Sequence, residues 1–172
     1  KRYLTAARRT VDYLEQSIIA RSDYFSSTLD ANCEDKEAAI TAATATYYMA
    51  LVSSGREQQR YIGLCKRAAY FAASWYYLWD VPFAQGQMLG DLGFKSRGWG
   101  NVSVENNHID VFVFELSHIF RWLGEKTHEP RFVQLDKVMT SSLCQLLPTP
   151  GHLCGIGKPG YYPEVVQHTT WD

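Results

Sequence analysis

The feature that most constrains this chain is an alternation of two kinds of helix joined by two kinds of connection. The first segment, about residues 2–20, places Leu4, Ala7, Val11, Leu14 and Ile18 at alternating three- and four-residue spacing. That is one buried stripe on a surface helix. The second, about 34–53, is small or apolar nearly all round through Ala38, Ile40, Ala43, Tyr47 and Leu51, which predicts a helix packed on most sides. The third, about 57–79, is striped again by Tyr61, Leu64, Ala68, Phe71, Trp75 and Leu78. The fourth, about 108–123, returns to near-continuous apolar character, and the β-branched residues among 109–114 also permit a strand there. The fifth, about 131–147, is amphipathic through Phe132, Leu135, Val138, Met139 and Leu146, and a further helix is expected to begin at Thr170.

Long loops lead from striped helices into apolar ones, whereas short links at Gly55 and Gly124 lead back. Antiparallel hairpins with that rhythm set the striped helices in an outer layer and the apolar ones in an inner layer. All the long loops then fall at one end. The expected fold class is all-α.

A local pattern marks each expected inner-helix start. It reads Asn32-Cys33-Glu34-Asp35, then Asn107-His108-Ile109-Asp110, then Thr169-Thr170-Trp171-Asp172. A capping side chain followed by a carboxylate at the third helical position satisfies orphan N–H groups and suits the helix dipole. With the loops at one end, Asp35, Asp110 and Asp172 would gather in an acidic mouth.

Composition narrows the partners. The chain has 172 residues and a formal net charge of −1, enough for one domain core and no electrostatic footprint for nucleic acid. No apolar run is long enough to span a membrane. Cys33, Cys65, Cys144 and Cys154 lack paired zinc-site spacing, and no histidine pair has helical metal spacing, so neither a metal nor a cofactor is expected. His118, mid-helix among apolar neighbours, reads as a core histidine. Aromatics are the outlier, with 11 Tyr, 8 Phe and 5 Trp; in loops, such rings make flat platforms for ligands.

The alternation resembles the (α/α) toroids of the six-hairpin glycosidase superfamily, which includes many glycoside hydrolases and some polysaccharide lyases. The segments that carry the resemblance are Asn32-Cys33-Glu34-Asp35-Lys36-Glu37-Ala38-Ala39, Glu105-Asn106-Asn107-His108-Ile109-Asp110-Val111-Phe112 and Pro163-Glu164-Val165-Val166-Gln167-His168-Thr169-Thr170-Trp171-Asp172. A closed toroid uses about twelve helices and this chain supplies about five and a start. The expectation is therefore a single partial toroid domain over residues 1–172, whose remaining partner is the rest of a longer chain.

The resemblance implies glycosidic bond cleavage by paired carboxylates, with an oligo- or polysaccharide as substrate. In inverting enzymes the two groups stand about 6.5–9.5 Å apart to admit a water. Glu105, Asp110 and Asp35 are the candidate catalytic residues. Sugars present apolar C–H faces for aromatic stacking and hydroxyls for polar side chains, so Trp99, Tyr161, Trp171, Asn107, His108, His168, Asp172 and Arg97 are the candidate substrate-binding residues. The same Asp residues are what capping alone would select, and loop aromatics can equally pin loops onto the helices. Two rival readings use the same mouth. One is a polysaccharide lyase, with a Tyr or His as base and Asn or Arg as neutraliser; the other is a non-catalytic binding or scaffolding module.

Overall fold

Small side chains let two helices approach closely, and that contact is the centre of the molecule. The structure, a computed structural model, describes residues 2–27, 32–103, 108–110, 114–153, 158–161 and 165–167. Helix α1, Arg2–Tyr13, runs on into a π-helical turn over Leu14–Ile19. A hairpin of β1, Phe25–Ser27, and β2, Asn32–Glu34, leads into α2, Lys36–Val52, and then α3, Gly55–Ala73. Ala39, Ala42, Ala43 and Ala50 of α2 are buried, as are Cys65, Ala68, Ala69 and Ala72 of α3. With little bulk beyond Cβ, the backbones come near enough for the Cys65 thiol to donate to the Ala43 carbonyl at 3.4 Å.

The chain continues through a short helix α4, Met88–Asp91, strand β3, Gly100–Asn101, and strand β4, His108–Asp110. Helix α5, Phe114–Thr127, and helix α6, Pro130–Leu143, form a second hairpin, with a 3-10 turn over Cys144–Leu146. Strand β5 is Val165–Gln167. Helix α5 packs on both α2 and α3, while α1 lies against α2. The described helices thus form two hairpins, α2–α3 and α5–α6, that pack on one another through α5. Buried Asp136 of α6 fastens the second hairpin, accepting from the Ser117 hydroxyl and from Arg121 Nε at 3.0 Å.

Helix accounts for 63% of the structure and strand for 8%, so the class is mostly helical, with strands confined to the helix ends. Among the described residues no helix is long and apolar enough to cross a membrane.

The boundaries differ from expectation in instructive places. The third helix stops at Ala73 rather than continuing to residue 79, because the next residues pair as a strand: Tyr77 N–H donates to Trp99 O at 2.9 Å, and Asn101 N–H to Trp75 O at 3.2 Å. Leu78, expected in the buried stripe, is 62% exposed as a result. The fourth helix starts at Phe114, and the β-branched stretch before it includes β4. Helix α2 is not covered all round: Tyr48 is 58% exposed, and His118 of α5 stands exposed beside Tyr47, their rings edge-on at 5.3 Å. His118 is therefore not the core histidine that its apolar neighbours suggested.

Candidate functional site

The start of α2 is where the sequence placed its first acidic junction, and the backbone there is held from two sides. Asp35 is extended, with φ −141° and ψ 136°, and its N–H donates to Tyr24 O at 3.0 Å. The next N–H, of Lys36, donates to Val102 O at 2.9 Å. Asp35 thereby lies opposite Ser103, on the continuation of β3.

Two further junctions reach that strand. Gly100 lies opposite Tyr76 on one side and Asp110 on the other, and β4 in turn pairs with β5, Asp110 opposite Val165. A Cβ at Gly100 would sit 3.0 Å from the Tyr76 ring, so glycine keeps this approach free of crowding. The start of α2, the end of α3, the strand leading towards α5 and the strand leading towards Thr170 therefore meet in one layer. Ser103 and Gly100, the partners of Asp35 and Asp110, are three residues apart in sequence. At the rise of an extended chain, the Asp35 and Asp110 backbones are separated by roughly 10 Å along that strand.

The structure gives Asp35 a different job from the one its spacing suggested. Asp35 is itself the N-cap, not the third helical residue, and Asn32 lies in β2. Its carboxylate accepts from Glu37 N–H at 2.5 Å and Ala38 N–H at 3.1 Å, and the residue is only 3% exposed. A buried carboxylate already committed to a helix end cannot reach a substrate. Its role is to fix the start of α2.

Trp99 is also a correction. It is 1% exposed, with its ring centroid 5.4 Å from that of Phe94, so it pins the long connection to the core and offers no stacking platform. Arg97 is exposed and pairs with Asp80 at 2.8 Å, lining a cavity between the end of α3 and α6 rather than the strand layer. Tyr161 is 69% exposed and free to meet a ligand face. His108 and Asp110 occupy the central strand β4, so Asp110 is not an N-terminal helical carboxylate. Glu105, Asn107, His168, Trp171 and Asp172 lie outside the described residues.

No family model, no curated protein and no solved structure matches this chain. The site is therefore argued from its own geometry.

One participant was not foreseen. Lys36 is fully buried at the first position of α2, with Nζ 5.3 Å from the centroid of the Tyr76 ring, a cation–π separation. In sequence, Asp35-Lys36-Glu37 looks like a solvated first turn, and no local signal marks the lysine for burial.

Tyr24, whose backbone accepts from Asp35 N–H, is a buried phenol. Burial pushes its pKa up to about 12, against the opposing pull of the Arg67 guanidinium. A phenol so hard to ionise is a poor base near neutral pH, which weighs against Tyr24 as the proton abstractor of a lyase. Among the described residues no cluster of His, Cys, Asp or Glu could hold a metal ion.

Proposed function

We propose that this strand-layered end is the active site of a carbohydrate-active enzyme, a glycoside hydrolase built on a partial (α/α) toroid. In this reading Glu105 and Asp110 supply the paired carboxylates, one protonating the leaving oxygen and the other activating water. Asp35 holds the helix beside them. The observation that carries the proposal is the strand register. It sets Asp110 opposite Gly100 of β3, so the two ends of the link that bears Glu105 are held together beside Asp110. Glu105 belongs, by sequence, to the link joining that strand to β4. His108, Asn107, His168, Tyr161, Trp171 and Asp172 are the candidates to meet sugar hydroxyls and ring faces.

The test is release of reducing ends from a panel of neutral and acidic polysaccharides by the whole protein. Glu105→Gln and Asp110→Asn should each lower turnover by about 10²–10⁴-fold, the usual worth of a positioned proton donor or acceptor, with circular dichroism unchanged. Product absorbing in the near ultraviolet would replace this reading with a lyase. Glycan binding without any turnover would replace it with a binding module.

A further inference from the structure

A mainly apolar cavity lies away from the acidic layer, on the side of Tyr76 and Tyr77. It occupies about 440 Å³ between the last turn of α3, the following residues 76–78, and α6. Volumes of that size are typical of small-molecule sites. Its walls are chiefly apolar or aromatic, with Tyr76, Tyr77, Leu135, Val138 and Met139 among them.

The close approach of Gly98 to α6 shapes the cavity. Gly98 has φ +87°, and a Cβ there would fall 2.7 Å from Ser142 Oγ and 2.9 Å from Val138 O. Only a residue without a side chain brings the Arg97–Gly98 turn this close to α6.

Charge decides the occupant. Among the described residues, the charged ones in the lining are Arg97 and Arg131, and no acid lines the cavity. Arg97 is held by Asp80 at 2.8 Å. Arg131 is more available: its contact to Glu129 is 3.7 Å, while Glu129 is already engaged by Lys66 and the Tyr70 hydroxyl. The Arg131 guanidinium stands 5.6 Å from the Tyr70 ring centroid and is largely exposed, so its remaining N–H donors can meet a carboxylate in a charge-assisted pair.

We propose that this cavity binds a small amphipathic carboxylate, an apolar or aromatic body with one anionic head. The body lies against Tyr77, Leu135 and Val138, and the head meets Arg131 at the rim. The proposal does not rest on the hydrolase reading.

Calorimetric titration of the whole chain with 4-phenylbutyrate and with its uncharged counterpart 4-phenyl-1-butanol tests it. The expected result is saturable one-site binding of the acid and at least about tenfold weaker binding of the alcohol, as befits loss of a charge-assisted hydrogen bond. Arg131→Gln, a change at an exposed side chain, should weaken the acid by a similar factor and leave the alcohol unchanged. Val138→Trp, which fills the cavity, should remove both while the circular dichroism spectrum is retained. Absence of saturation by the acid at about 1 mM, equal affinity for acid and alcohol, or an Arg131→Gln protein that binds the acid as tightly as the parent would each overturn the proposal.

Discussion

Replacing Asp35 separates a cap from a catalyst, because the two roles respond to different substitutions. The Asp35 carboxylate accepts from Glu37 N–H at 2.5 Å and from Ala38 N–H at 3.1 Å, so Asp35→Ala strands two donors at the start of α2. Loss of an N-cap side chain costs about 0.5–2 kcal/mol, and loss of a negative charge at that end about 0.3–1 kcal/mol more. Low exposure places this site in the upper part of that range, at about 2 kcal/mol. For a chain of this length each kcal/mol lowers the melting temperature by about 2–4 °C, so Asp35→Ala should melt about 4–8 °C lower. Asp35→Ser keeps an oxygen that can accept from the same N–H groups and should recover most of the loss, leaving only the charge contribution. Thermal denaturation followed at 222 nm measures all three proteins. An Asp35→Ala protein melting within about 1 °C of the parent, or an Asp35→Ser protein as unstable as the alanine variant, would refute the assignment of Asp35 as a cap.

Two other sites give independent expectations. Lys66, and after it the Tyr70 hydroxyl, hold the Glu129 carboxyl below its ordinary value of 4.5. A depressed folded pKa contributes stability that is present above the unfolded pKa and lost as pH falls through the folded one. Glu129→Gln should therefore lower the urea midpoint at neutral pH, and the difference from the parent should shrink as pH falls below about 4.5; a gap that stays constant down to about pH 3 contradicts the ion-pair account. Burial pushes the Cys65 thiol up to about 12. In a protein whose other cysteines are serine, a thiol reagent at mildly alkaline pH should label Cys65 only as fast as the α2–α3 contact opens, and labelling at the rate of a free thiol would show that the contact is loose.

The helical pairs were legible in the sequence because their signal is local. A stripe at three- and four-residue spacing needs one buried face, and Ala38–Ala45 can serve only a helix that another approaches closely. The ends of those helices were not legible, and one physical cause covers the main errors. Residues 75–77 and 108–110 continue the apolar patterns of the helices beside them, but their backbones are taken by partners distant in sequence, Trp99 and Asn101 in one case and Gly100 and Val165 in the other. Strand pairing is paid for by a tertiary contact that no window of neighbouring residues contains.

The same cause divides the candidate site. The nearness of the Asp35 and Asp110 junctions was readable in part, because helix alternation sets the end at which a loop falls and both junctions pair with one strand, while the third junction lies outside the described residues. What each side chain does there was not, because a capping Asp and a catalytic Asp require the same residue at nearly the same position. Trp99 makes the point for aromatics. Glycines at 98 and 100 mark its segment as a loop, and loop aromatics are platform candidates, yet those glycines are what let the backbone press against Ser142 and the Tyr76 ring, carrying the indole into the core beside Phe94. A glycine on either side of an aromatic residue is thus weak evidence for an exposed ring. When both glycines sit at close approaches to neighbouring elements, as here, they argue for a buried one.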